Sequence, residues 1–329
     1  MFSKNLAIVL TLSLGCGILL AQSTPPTAVP APKPVVDGAN ASVATNPDLP
    51  TGGTIRTRTD EVNVIFTVTD KHGKFVKNMK PSEFRILDNN LPPREVKSFE
   101  AETNLPLRVG LLIDASNSIR DRFLFEQRAA TEFLQQTIHP QTDKAFVLAF
   151  DEVWDVEQDF TNDLDKLSRG IKAIRPGGGT AMWDAVYYAC RDKLMKERSS
   201  GIVRLAIVLV SDGDDNQSRV LRQEAVDMAQ RAGVIVYAIS TNMSNIKDSG
   251  DHNLEMLAEA TGGRAFFPFK LQNLSDDFHE VQEELRSQYS LNYKPAQFAL
   301  NGQFRSIAIV PENKKLKVRA KKGYYVPRE

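Results

Sequence analysis

Five oxygen-bearing side chains stand at the ends of apolar runs in this sequence: Asp114, Ser116 and Ser118 at alternate positions, then Thr180, then Asp212. Carboxylate and hydroxyl oxygens are hard donors, suited to Mg²⁺ or Mn²⁺ and unsuited to a thiolate-type zinc site. The alternate spacing of the first three lets one turning loop aim three side chains inward. Gly177-Gly178-Gly179, just before Thr180, permits close backbone approach and unusual dihedrals. Two carboxylates balance the formal charge of a divalent ion, while neutral hydroxyls leave its pull on an outside anion intact. The set therefore predicts one metal with an open position, which a partner's Asp or Glu fills in place of water. Each residue taken singly also reads as a helix cap after a strand. Capping does not explain five such residues together.

The flanking sequence supplies elements that can position these groups. Residues 107–113, 145–150, 204–210 and 234–240 are near-continuous apolar runs, as expected of strands covered on both faces. Residues 122–138, 181–196, 220–231 and 253–260 carry apolar side chains at helical spacings of three and four, and 271–288 reads as a last helix. Residues 153–160 follow the second strand after a short turn and predict an antiparallel edge hairpin. Alternation of this kind gives an α/β fold with a doubly wound, mostly parallel sheet. In such sheets ligands bind beyond the carboxyl ends of the strands, near the reversal of strand order. The five residues fall there.

At this point the sequence resembles the von Willebrand factor A domain, whose metal-ion-dependent adhesion site has the pattern D-x-S-x-S, a later Thr and a later Asp. All five match in order, over a resemblance that covers about residues 105–288. The flanking β segments, including Phe84-Arg85-Ile86-Leu87-Asp88-Asn89-Asn90, look like a bacterial family related to that domain and first described in acidobacteria. The resemblance implies that Ser116, Ser118 and Thr180 bind metal directly, with Asp114 and Asp212 acting partly through water. It also implies that rearrangement at the metal can couple to movement of the last helix.

Outside the central region the pattern changes. Residues 62–68 alternate as a strand before the turn Asp70-Lys71-His72-Gly73, and short strands follow at 84–87 and 96–99. These are too few for an independent sandwich, and 289–293, 306–310 and 316–320 alternate in the same way. A second, small antiparallel β domain built from both termini is expected, from 54–102 and 289–329, around a central domain at 103–288. Residues 1–22, with Lys4 ahead of the apolar run 6–20 and small residues at Ala21-Gln22-Ser23, read as a signal peptide. An uncleaved anchor, or a lipid on Cys16, is the alternative and the one route to membrane contact. Residues 23–53, rich in Pro, Ala, Thr and Asn, form a linker. Loss of the signal leaves Cys190 alone, so no disulfide within the mature chain is available; its apolar surroundings make it a packing residue.

Other chemistries find little support. Lys plus Arg and Asp plus Glu each number 41, so no general field attracts nucleic acid or an anionic surface. No phosphate-binding G-x-x-x-x-G-K-[ST] loop is present, and His72, His139, His252 and His279 have no zinc spacing. Trp154 and Trp183 read as packing residues, residues 314–322 as a half-buried strand with a basic face, and Asp214-Asp215-Asn216 as a solvated acidic loop. The expected function is not enzymatic. It is an exported, Mg²⁺- or Mn²⁺-dependent adhesion module in the periplasm, envelope or extracellular space, binding a protein or matrix ligand that presents an Asp or Glu carboxylate. The alternatives are an accessory subunit of an envelope enzyme or export complex and, further off, a metal-dependent hydrolase, for which no general base is evident.

Overall fold

The computed structural model describes residues 60–102, 105–120, 122–197, 203–242, 244, 246–268, 270 and 273–328, all within one compact unit, Thr57–Glu329. The signal-peptide and linker readings lie outside the described residues. No described helix is long and apolar enough to cross a membrane.

The larger sheet contains β4 (Leu107–Asp114), β5 (Lys144–Phe150), β6 (Trp154–Thr161), β7 (Arg204–Ser211), β8 (Ile235–Ser240) and β9 (Ala265–Phe266), ordered β6-β5-β4-β7-β8-β9. Only β6 runs antiparallel, as the edge hairpin predicts. The chain leaves β4 toward β5 on one side and returns to β7 on the other, so strand order reverses between β4 and β7. One face is covered by α1 (Phe123–Thr137), α2 (Leu164–Ala173) and α7 (Asn273–Leu285). The other is covered by α3 (Met182–Tyr188), α5 (Arg222–Ala232) and α6 (Ser249–Thr261). Because side chains alternate along a strand, Leu107, Val109, Leu111 and Ile113 enter the first core and Leu112 the second. Gly110 leaves room for the Phe146 ring, whose Cζ would lie 2.5 Å from an added Cβ.

Several boundaries depart from the sequence reading. The helix expected over 181–196 is α3, followed by a π-helical turn at Ala189–Leu194 and a last turn, α4 (Met195–Glu197). Helix α2 occupies a stretch to which the sequence reading assigns no element: only Leu167, Gly170 and Ile171 are buried, and Asp163 caps it by accepting from the Asp165 and Lys166 amides. Helix α7 stops at Leu285, so Gln288 is not helical; it opens the next strand and donates its side-chain amide to the Tyr237 hydroxyl (2.8 Å).

Two small antiparallel sheets combine sequence from both ends of the unit. In one, β1 (Val62–Thr69) lies between β10 (Gln288–Lys294) and β12 (Lys317–Ala320), and β10 also pairs with β3 (Glu95–Glu102). In the other, β11 (Phe304–Pro311) lies between β2 (Phe84–Asp88) and β13 (Gly323–Tyr325). The basic stretch behaves as expected, with Leu316, Val318 and Ala320 packed against the shared core. Asp88 closes this part of the molecule. Fully buried, it accepts hydrogen bonds from Tyr293 (2.8 Å), Tyr324 (2.9 Å) and Arg305 Nε (2.7 Å), so one carboxylate joins β2, β10, β11 and β13. Removing it strands two buried phenols and a mostly buried guanidinium. Asp88→Ala is therefore expected to lower unfolding free energy in urea by about 3–5 kcal/mol; a loss below about 1 kcal/mol would contradict this role.

Candidate metal centre

Asp114 is the last residue of β4 and is wholly buried. One carboxylate oxygen accepts from the Ser116 amide (2.8 Å) and the other from the hydroxyl of Ser211, the last residue of β7 (2.7 Å). The carboxylate thus spans the point at which strand order reverses. Burial pushes its pKa up to about 6, against the hydrogen bonds from Ser211 and Ser116, with the charge of Asp212 adding to the rise.

The next two residues of the motif continue outward. Ser116 Oγ and Ser118 Oγ are 2.9 Å apart, and Ser118 Oγ donates to Asp212 Oδ2 (2.8 Å). Thr180 is buried in the third loop and held through its backbone: its amide donates to Asn216 Oδ1 (3.0 Å), and its carbonyl accepts from the Asn216 and Gln217 amides (3.0 Å each). The glycine loop docks on the first loop, with Gly177 N donating to Ala115 O (2.7 Å) and Asn117 N to Gly178 O (3.3 Å). Gly178 has φ +66°, and at Gly179 an added Cβ would stand 2.7 Å from Asn216 Oδ1. The close approach expected of the glycines is realised there.

All five predicted residues therefore lie on three interlaced loops at one rim. Asp114, Ser116, Ser118 and Asp212 are linked by direct hydrogen bonds, while Thr180 joins them through the loops on either side. Among the described residues no group of three or more His, Cys, Asp or Glu gathers to hold a metal. The donor set is instead two carboxylates and three hydroxyls. Its chemistry, all oxygen with no sulfur or imidazole, fits a hard divalent cation. Hydrogen bonds hold the Ser116–Ser118 and Ser118–Asp212 oxygens at 2.9 and 2.8 Å.

Four supporting residues are absent from the sequence reading of the site or differ from it. Ser211 donates its hydroxyl to Asp114, and its position beside Asp212 was the available signal. Asn216 orients Thr180. Asp215 accepts from the Trp183 amide (3.1 Å) and the Ser218 hydroxyl (2.6 Å), so it secures the start of α3 and is not a solvated acid. Asp214 is exposed as expected, its pKa raised by partial burial and by Asp212, Asp248 and Asp251. Glu126, one turn into α1, is 1% exposed and stands 3.3 Å from Arg122 Nε. Burial raises its pKa to about 8 against the Arg122 charge, and the charges of Asp114 and Asp212 reach it. An acidic residue in a helical pattern ordinarily marks a wet face, so nothing in its spacing singles it out.

The remaining readings hold at the level of contacts. All four histidines are exposed. Cys190 is fully buried, and burial raises its thiol pKa, which removes thiolate chemistry. Trp183 is buried in the second core, and Trp154 stacks on Tyr188 with centroids 3.6 Å apart.

The von Willebrand factor type A domain model matches residues 109–284, more than half of the chain. No curated protein matches the sequence. Among solved structures, proximal thread matrix protein 1 from the mussel byssus, with a zinc-occupied MIDAS motif, aligns at 16% identity and TM-score 0.49, covering 61% of this chain and 50% of that one. The present chain thus spans half the length of the mussel protein it matches. A von Willebrand factor type A protein from Catenulispora acidiphila aligns at 14% identity and TM-score 0.49, covering 74% and 72%. Conserved hypothetical protein BatB from Bacteroides thetaiotaomicron aligns at 16% identity and TM-score 0.42, covering 54% and 99%.

The raised pKa of Asp114 has a sign that can be measured. A folded-state pKa above the unfolded value stabilises the fold at pH below about 4 and is lost as pH rises through about 6. Without a cation, ionising Asp114 removes on the order of 3 kcal/mol over that window. A cation competes with the same proton. Mn²⁺ affinity measured by calorimetry should therefore fall about tenfold per pH unit below about pH 6; a flat affinity from about pH 5 to 8 would exclude Asp114 from the site.

Proposed function

Because the chain belongs to the von Willebrand factor type A domain family, we propose that it is a non-enzymatic binding module that recruits a partner carboxylate through one divalent cation. The observation that carries this reading is the hydrogen-bonded oxygen cluster of Ser116, Ser118 and Asp212 beside buried Asp114, at the reversal of strand order. Ser116, Ser118 and Thr180 would hold the ion directly, with Asp114 and Asp212 acting partly through water. When bound, the cation supplies an electrophilic position for an Asp or Glu side chain of a protein or matrix ligand.

The protein's own groups account for the rest. Asp114 and Asp212 match the ion's charge, and the hydroxyls supply neutral ligands. The interlaced loops set the oxygens in place before any partner arrives, which lowers the ordering cost of binding. Carboxylate and hydroxyl oxygens without a thiolate or imidazole suit a hard cation such as Mg²⁺ or Mn²⁺. The apolar run at residues 6–20 and the Pro-rich stretch after it support export, with this module carried on a spacer.

Metal binding should stabilise the folded protein by about 2.7 kcal/mol at a Mg²⁺ concentration one hundred times Kd. Asp114→Ala should remove that gain and the calorimetric heat with it. Wild-type protein without a Mg²⁺ or Mn²⁺ heat would overturn the metal reading. Partner capture from an envelope extract, unchanged by chelator and by Asp114→Ala, would overturn recognition through the metal.

A further inference from the structure

The exposed apolar side chains of this protein are not scattered evenly. Among the described residues, the large hydrophobic side chains more than 60% exposed are Leu124 (78%), Val153 (62%), Leu221 (67%) and Ile246 (78%). The next most exposed, Phe304 at 42%, packs against the Tyr325 ring. Single exposed hydrophobes are ordinary on protein surfaces. These four share one location.

Each belongs to a segment that leaves the carboxyl end of a different strand of the larger sheet. Leu124 follows the β4 loop that carries Asp114, Ser116 and Ser118, and Leu221 ends the β7 loop that carries Asp212. Val153 is in the turn after β5, and Ile246 is in the loop after β8. Strand order puts β4 and β7 between β5 and β8, so Val153 and Ile246 flank the metal centre along the sheet. Leu124 and Leu221 start helices that cover opposite faces, so they flank it across the sheet. The four positions thus surround the metal centre.

Hydrogen bonds tie three of the four backbones to their loops, and the fourth is helical. Val153 N donates to Asp151 Oδ1 (3.1 Å), and Leu221 N donates to Glu224 Oε2 (3.0 Å). Ser244 Oγ donates to the Ile246 carbonyl (2.6 Å), and Leu124 lies in the first turn of α1. Exposed apolar groups held on ordered backbone form a surface that loses little freedom when covered.

We propose that Leu124, Val153, Leu221 and Ile246 form an apolar collar around the metal centre, selecting a protein segment whose Asp or Glu is flanked by apolar side chains. This rests on the metal-dependent reading above and adds what the partner must carry beside its carboxylate. The chemistry of the site favours a polypeptide: it asks for a carboxylate at the centre and apolar groups around it, which neighbouring side chains of one segment supply together. The rim carries both signs, with Asp151, Glu152, Asp214 and Asp248 beside Arg120, Arg219 and Arg222, so charge alone draws no anionic surface to it. A sugar acid would leave the collar wet.

The test is selection of a random displayed-peptide library on purified protein in Mg²⁺, with release by chelator. Released peptides should carry Asp or Glu with Leu, Ile, Val or Phe within a few residues. Leu124→Ser and Ile246→Ser should each weaken their affinity about tenfold, from the apolar burial lost, while the Mg²⁺ heat and the thermal midpoint stay unchanged. Failure to release any peptide, acidic peptides without apolar neighbours, peptides indifferent to both substitutions, or stronger Mg²⁺-dependent binding to phosphatidylglycerol vesicles would each overturn the collar. Absence of a Mg²⁺ heat from wild type would instead bring down the metal reading on which it rests.

Discussion

A carboxylate without water must be neutralised by something, and Asp114 meets that requirement at the centre of the sheet. It ends β4 where the strand order turns toward β7, at a place no solvent reaches. Ser211 from β7 and the Ser116 amide each satisfy one of its oxygens. They do not cancel its charge, and its raised pKa records the deficit. A divalent cation held on the outward side by Ser116, Ser118 and Asp212 would remove that deficit. The first loop, the glycine loop and the loop after β7 meet beside this carboxylate.

The surrounding architecture anchors the described parts of the rim. Thr180 is gripped through Asn216, and α3 begins where Asp215 accepts from the Trp183 amide. Two apolar cores, one on each face, lock the strands that deliver Asp114 and Asp212. Farther along the chain, the small sheets bring β1 against β10 and β12, so sequence on both sides of the larger sheet closes into one core. Helix α7 leads into that core, and its buried Glu284 pairs with Arg319 of β12. The last helix is therefore tied to the small sheets by charge as well as by chain continuity.

The parts of this design that repeat or alternate were legible in the sequence. Four apolar runs marked four of the five parallel strands, the two-residue β9 being too short to show a pattern, and Asp114, Ser116 and Ser118 announced an inward-facing loop by spacing alone. Thr180 and Asp212 were legible because each follows a recognisable run or precedes a helix. What escaped depends on contacts between distant residues. Asn216 and Asp215 look like a wet acidic loop until the fold brings them against Thr180 and Trp183. Glu126 looks like the polar side of α1, although tertiary packing buries it. Helix α2 is short and polar, with few apolar positions to mark its period. Gln288 sits at a helix-to-strand change, where the boundary is decided by its contact with Tyr237. The exposure of Leu124 and Ile246 is likewise a property of the folded surface, since apolar residues in sequence are ordinarily read as core.

The central claim is that three loops at the strand-order reversal hold one small divalent cation. Crystals grown in Mn²⁺ and measured at a wavelength where manganese scatters anomalously test it directly. The account predicts one strong peak about 2.1–2.3 Å from the Ser116 and Ser118 hydroxyls and within reach of Thr180. A peak elsewhere, or an ordered site without one at saturating Mn²⁺, would contradict it.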